Sequence, residues 1–315
     1  MSTLATSKNS LQQPSSESSP MPWPRIALVT PVFNSAKYLE ETIQSVLAQN
    51  YPNLDYFIVD GGSTDGTLDV IRKYESQISG WTSEPDNGMY HALNKGFART
   101  TGEVMGWISA TDKLHTGGLL VVGNVFRDLA QVSWITGRPT AFNNEGLTTH
   151  IKPLPRWSRG RFLAGANRYI QQESTFWRRS LWDQAGGRMD ESRRMTNDFE
   201  LWVRFFRHAP LYSVDALIGG FRIHGDSLGF ANLEECHRIA DEIVDIELQS
   251  VRGHTGAKMF RKLNRTARRI PKFRVAWQRL VTDSIHWGLY HLPARDWPPV
   301  IEYQWDSPPG WRFRK

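Results

Sequence analysis

Between Arg25 and about residue 135 the chain alternates short, continuous apolar runs with segments of helical periodicity, and this pattern constrains the fold most tightly. Ile26–Val29 is uniformly apolar, as a strand covered on both faces must be. Leu39, Ile43, Val46 and Leu47 then recur at helical spacing, with Asn34 and Ser35 placed to cap that helix. Tyr56–Val59 repeats the strand pattern and ends at Asp60-Gly61-Gly62. Ser63, Thr64 and Asp65 open a second helix, with Leu68, Ile71 and Tyr74 on its inner face. A short strand at Trp81, a loop through Pro85 and a helix over Met89–Ala98 form a third unit. Val104–Ile108, a helix near Leu119–Leu129 and a fifth strand at Val132–Ile135 complete the series. Strand and helix alternating at this spacing predict a mostly parallel, Rossmann-like α/β sheet covered on both faces.

Such sheets bind ligands beyond the carboxyl ends of their strands. Here those ends are Thr30, Asp60, the Glu84–Gly88 loop and Ser109–Asp112, and all four carry polar or acidic groups. No GxGxxG follows the first strand and no GxxxxGK[ST] occurs, which weighs against dehydrogenase and ATPase chemistry. The single cysteine, Cys236, excludes an internal disulfide framework and a cysteine-based zinc cluster. Strand-end carboxylates and small residues instead suit a nucleotide sugar. A hard divalent cation, which prefers oxygen ligands and can bridge a diphosphate, would assist.

The chain resembles the family 2 inverting glycosyltransferases with the GT-A fold. The resemblance runs from about Ile26 to Gly229 through seven motifs in order: LVTPVFN at 28–34, IVDGGSTDGT at 58–67, SEPDNGMYHALNKGF at 83–97, GEVMGWISATD at 102–112, IQQESTFWRRS at 170–180, TNDFELWVR at 196–204 and FRIHGDS at 221–227. It implies an enzyme that moves a sugar from a nucleoside diphosphate sugar to a saccharide or lipid-linked saccharide acceptor. Cell-surface polysaccharide or glycolipid synthesis is the setting it suggests.

Carried over residue by residue, the resemblance assigns Thr30, Asp60, Asp86, Lys95, Thr111 and Arg222 to the nucleotide sugar. Asp60 can accept hydrogen bonds from a base N–H or ribose hydroxyls, whereas Asp65 reads as an ordinary helix cap. Lys95 either sits near the donor or braces the Asp86 loop. Gln172 and Trp177 match the acceptor-facing region, with Phe176 in the core, Arg178 and Arg179 on the surface or facing phosphate, and Glu173 open to either reading. Asp198 matches the catalytic base, with Glu200 as the fallback.

The metal motif departs from the family. Where D-x-D or N-x-D-D is usual, the residues are Ser109, Ala110, Thr111 and Asp112. The resemblance implies a Mn2+ or Mg2+ ion held by Asp112 and His224 with the donor's diphosphate, at a site weakened by the missing charge. His224 has a second reading as a packed or base-stacking ring, and Arg222 one as a phosphate ligand. The eroded motif also keeps open a catalytically silent sugar-nucleotide-binding or scaffold protein.

Flanking segments differ in composition. Residues 1–24 are rich in Ser, Gln, Pro and Thr and read as a disordered leader without a secretory signal. Residues 25–250 form the expected GT-A domain. Counting Lys and Arg against Asp and Glu, residues 1–250 sum to about −4 and residues 251–315 to about +10. The expectation for 251–315 is a helical, basic, Trp-rich extension. Nine Lys/Arg lie between Arg252 and Arg274 with no acidic residue, and Met259, Phe260 and Leu263 fall on one apolar stripe. Trp277, Trp287, Trp297, Trp305 and Trp311 follow, with Tyr290 and Tyr303 among them. Two readings stand for this extension: peripheral contact with an anionic membrane, or a cap packed on the catalytic body. No nucleic-acid partner is expected, because no recognised binding motif accompanies the charge. No run of 18 apolar residues occurs, and the expected location is cytoplasmic, extending to the inner membrane face.

Overall fold

The computed structural model describes residues 22–163, 165, 169–224, 232–249, 297–306 and 308–314. In chain order the first half contains β1 (Ile26–Val32), α1 (Ala36–Leu47), β2 (Leu54–Asp60), α2 (Thr67–Tyr74), β3 (Gly80–Ser83), α3 (Met89–Arg99), β4 (Val104–Trp107), β5 (Lys113–Leu114) and α4 (Gly118–Asp128). Then come β6 (Trp134–Thr136), β7 (Thr140–Phe142), β8 (Thr148–Ile151), α5 (Arg159–Leu163), β9 (Thr175–Arg178) and α6 (Arg179–Gln184). The last elements are α7 (Asn197–His208), β10 (Tyr212–Ser213), β11 (Gly219–Arg222), α8 (Leu233–Gln249), β12 (Ile301–Gln304) and β13 (Gly310–Phe313).

The main sheet has seven strands in the order β10-β6-β9-β4-β1-β2-β3. It is parallel except at β9, which runs antiparallel to both β4 and β6. The fifth apolar run therefore does form a strand, but β9 separates it from β4. Alternation within β1 divides the core: Ile26 and Leu28 pack with α1, α2 and α4, while Ala27 and Val29 pack with α3, α6, α7 and α8. Gly96 brings α3 tight onto β1, since a Cβ there would lie 2.4 Å from Val29 Cγ1. A second sheet, β5-β11-β7-β8, stands at the carboxyl end of β4.

The caps expected at Asn34 and Ser35 are replaced by a contact from the next unit. Ser35 makes no side-chain cap bond. Instead the Ser35 N–H donates to Thr67 Oγ1 at 3.0 Å and the Ala36 N–H to Asp65 Oδ2 at 3.1 Å. Asp65 also accepts the Thr67 N–H, so one carboxylate serves the starts of two helices.

Residues at both flanks touch the body. Trp23 packs edge-on against Tyr51, whose hydroxyl donates to Pro24 O at 2.8 Å. At the other end β12 and β13 form an antiparallel hairpin. Ile301 is fully buried and bridges Val214 just beyond β10, and β13 lies on α4. The described part of the extension is thus a β-hairpin seated on the domain rather than a helix. The charge run Arg252–Arg274 lies outside the described residues, as do Met259, Phe260, Leu263, Trp277, Trp287 and Tyr290. No described helix is long and apolar enough to cross a membrane.

Candidate active site

Parallel pairing brings the carboxyl ends of β1, β2 and β3 together. Asp60 closes β2, fully buried, and its carboxylate is engaged by its own surroundings. Oδ2 accepts the N–H groups of Gly62 and Ser63, both at 3.0 Å, and the Ser83 hydroxyl at 2.7 Å, while Oδ1 accepts the Ser63 hydroxyl. Asp60 therefore shapes the loop. Asp86 lies across Gly61: a Cβ on Gly61 would meet Asp86 Oδ2 at 2.8 Å, so only glycine leaves that carboxylate room. Asp86 Oδ1 accepts the Gly88 N–H at 2.7 Å. Lys95 braces the same loop through Glu84 Oε1 at 2.8 Å and Pro85 O at 3.4 Å.

Thr30 requires a correction. It lies inside β1, fully buried, with its hydroxyl 3.0 Å from the Tyr56 hydroxyl. Its side chain belongs to the core because β1 continues to Val32. The exposed group at this strand end is Phe33, 61% accessible, which sequence reading did not single out. Its signal was an aromatic side chain directly after an apolar strand.

Beyond β4 the Ser109–Asp112 loop is fixed by Thr42, whose hydroxyl contacts Ala110 O and Asp112 O at 2.9 and 2.7 Å. Asp112 is almost fully buried. Its Oδ1 accepts the Arg222 main-chain N–H at 2.9 Å, and its Oδ2 faces the Gln172 amide at 3.5 Å. Burial pushes the Asp112 carboxyl up to about 7, against the opposing pull of the Arg222 N–H.

Arg222 is not available to a phosphate. It is fully buried, donating Nε to Thr111 O at 2.6 Å and Nη1 to Asn143 O and Asn144 O, both at 3.0 Å. Its Nη2 pairs with Glu41, and the guanidinium lies 5.0 Å from the centre of the Tyr38 ring. Arg222 thus staples the β4 loop to α1 and the β7–β8 turn. His224, two residues on, sets its ring 5.3 Å from that of Tyr38.

By themselves the described side chains do not make a divalent-cation site. Among the described residues no group of three His, Cys, Asp or Glu side chains could hold an ion. The loop offers one carboxylate whose oxygens both already face N–H donors, with a guanidinium bonded to the adjacent carbonyl.

The third wall comes from the second half of the chain. Asp198 sits half-buried in the first turn of α7, and burial raises its carboxyl above the usual range, partly offset by the Phe199 N–H. The neighbouring Asn197 N–H donates to the Tyr90 hydroxyl at 3.2 Å, tying α7 to the start of α3 beside the Asp86 loop. Glu173 links the two halves. Burial and then repulsion from Asp112 hold its carboxyl well above the ordinary range, and Asp198 adds to the effect. Glu173 thus lies within electrostatic reach of both Asp112 and Asp198. Glu200 is occupied elsewhere, in a bidentate pair with Arg204.

Trp177 does not face an acceptor. It is fully buried, with ring centroids of Trp107, Phe205, Trp202 and Phe97 between 5.5 and 6.0 Å away. Its strand is central in the sheet, so both of its faces are core. Gln172 reaches the β4 loop, with Nε2 3.4 Å from Ser109 Oγ. Arg178 donates to Val132 O and Phe126 O, and Arg179 to Gly102 O and Thr100 O. Both are structural.

A sheet of this order with polar and acidic side chains at its carboxyl edge is that of a GT-A glycosyltransferase domain, and residues 27–184 match the family model described as Glycosyl transferase family 2. The chain belongs to that family. An uncharacterized glycosyltransferase of Rickettsia prowazekii is 28% identical over 206 residues, which is 64% of this chain and 64% of that one. The chain thus spans a little under two-thirds of that relative's length. A putative teichuronic acid biosynthesis glycosyltransferase, TuaG of Bacillus subtilis, is 36% identical over 93 residues, 29% of this chain and 37% of its own. Among solved structures, S. aureus TarS 1-349 in complex with UDP-GlcNAc superposes with a TM-score of 0.60 at 15% identity, covering 84% of this chain and 81% of TarS 1-349. The mannosyltransferase PcManGT from Pyrobaculum calidifontis, in complex with GDP-Man and Mn2+, gives 0.53 at 16% identity, covering 87% and 85%.

Proposed function

We propose that this chain transfers a sugar from a nucleoside diphosphate sugar to a hydroxyl acceptor with inversion at the anomeric carbon. The observation that carries this reading is the position of Asp198: a half-buried carboxylate in the first turn of α7, which the Asn197–Tyr90 hydrogen bond ties to the start of α3 beside the Asp86 loop. In a single displacement the acceptor oxygen bonds to the anomeric carbon as the bond to the diphosphate breaks. The acceptor's proton passes to Asp198, and the nucleoside diphosphate leaves. Asp86 and the exposed Phe33 ring border the space for the nucleoside. Their neighbours Asp60 and Lys95 hold the loops that shape it. A base positioned in this way contributes on the order of 100- to 10,000-fold.

The likeness to TuaG supports a cell-surface polysaccharide as product class, and the structures solved with UDP-GlcNAc and GDP-Man support a sugar nucleotide as donor. Residues 25–250, closed by the 297–314 hairpin, form the catalytic unit in this reading. The basic run from Arg252 to Arg274 draws it to an anionic membrane surface where lipid-linked acceptors reside. The test is a thermal-shift and hydrolysis screen of the full chain over UDP-, GDP- and dTDP-sugars. One class of donor should stabilise the protein and be turned over. A chain that binds none of them sinks the proposal.

A further inference from the structure

We infer that Gln172, with Ser109, binds a hydroxyl of the donor's sugar directly, in the place where the family usually keeps acidic residues for a cation. The inference rests on the donor class proposed above and adds how that donor is read.

A hard cation is held by several oxygens and by negative charge sufficient to offset its dehydration. This loop has one carboxylate, on Asp112, and its two oxygens accept from or face N–H groups at 2.9 and 3.5 Å. Directly behind the loop the buried Arg222 guanidinium is bonded to Thr111 O at 2.6 Å and paired with Glu41, so the Glu41 charge is already spent within the protein. The remaining polar groups are neutral. Gln172 has a buried Oε1 without a hydrogen-bond partner, and the contacts of its Nε2 with Ser109 Oγ and Asp112 Oδ2, at 3.4 and 3.5 Å, are at the long limit. A buried acceptor left unpaired costs free energy until a donor arrives. A sugar hydroxyl meets both needs, because it can donate to Oε1 while accepting from a neighbouring hydroxyl or amide. A phosphate oxygen could satisfy only the donors.

Three titrations by calorimetry, each on the full-length chain, test this. Manganese alone should leave the wild-type protein unchanged, whereas Thr111→Asp, which restores a second carboxylate, should gain at least tenfold in manganese affinity. Whichever of the UDP, GDP and dTDP sugars binds should do so equally in EDTA and in manganese. Gln172→Ala should weaken that sugar nucleotide about tenfold while leaving the matching free nucleoside diphosphate within twofold, and Gln172→Glu serves as the second variant if Gln172→Ala fails to fold. A tenfold loss of wild-type affinity in EDTA, or equal weakening of sugar nucleotide and free diphosphate by Gln172→Ala, overturns the inference. Absence of binding by every nucleotide in both buffers instead removes the donor class on which it rests.

Discussion

Asp198 and Asp112 are both carboxyls raised by burial, and that shared property has different consequences at the two positions. In the proposed mechanism the charged form of Asp198 takes the acceptor's proton. Asp198→Asn is expected to lower kcat on the order of 100- to 10,000-fold while leaving donor affinity within twofold, measured by steady-state transfer and nucleotide titration. Because burial raises this group, the acid limb of kcat should fall at a higher pH than an ordinary carboxylate near 4 would give. At Asp112 the consequence is stability. A folded-state value of about 7 means that the native protein binds this proton more tightly than the unfolded chain. Unfolding free energy therefore declines as pH rises from about 4 to about 7. Asp112→Asn removes that dependence, so its melting temperature relative to wild type should be higher at pH 8 than at pH 4.5.

At the scale of elements, Gly96 sets the distance between α3 and β1. Gly96→Ala places a methyl 2.4 Å from Val29 Cγ1 and is expected to cost about 1–3 kcal/mol in urea denaturation. The parallel strands and their helices were legible in the sequence because periodicity is a local property, and β1 to β4 and α1 to α4 fall close to where it predicts them. What lay beyond reach was which strands become neighbours. β9 enters between β4 and β6 from a distant part of the chain, and that insertion buries both faces of a segment whose local pattern reads as acceptor-facing. Trp177 was misplaced for this reason. Thr30 and Arg222 were misplaced for a related one: residue type does not reveal that a hydroxyl has Tyr56 as partner, or that a guanidinium has three carbonyls and Glu41. The placement of Asp86 beside a turn and of Asp198 at a helix start was legible because both signals are local.

For the whole molecule, the hairpin at 297–314 and the basic run before it can be tested separately. Ile301→Ala removes a fully buried side chain and should cost about 2–5 kcal/mol, whereas Trp305→Ala, on an 84% exposed ring, should stay within about 0.5 kcal/mol. Both are read from chemical denaturation of the full chain. Basic residues near an anionic surface contribute about 1 kcal/mol each. Replacing Arg265, Arg268 and Arg269 with Gln should therefore lower co-sedimentation with phosphatidylserine vesicles on the order of 100-fold. Unchanged sedimentation would remove the membrane from the proposed function. The hairpin also has a bearing on synthesis. Ile301 is made after Val214, so a nascent chain can pair β1 to β10 outside the ribosome and still leave the apolar ground around Val214 wet. Any translation product that stops short of residue 297 leaves that flank uncovered.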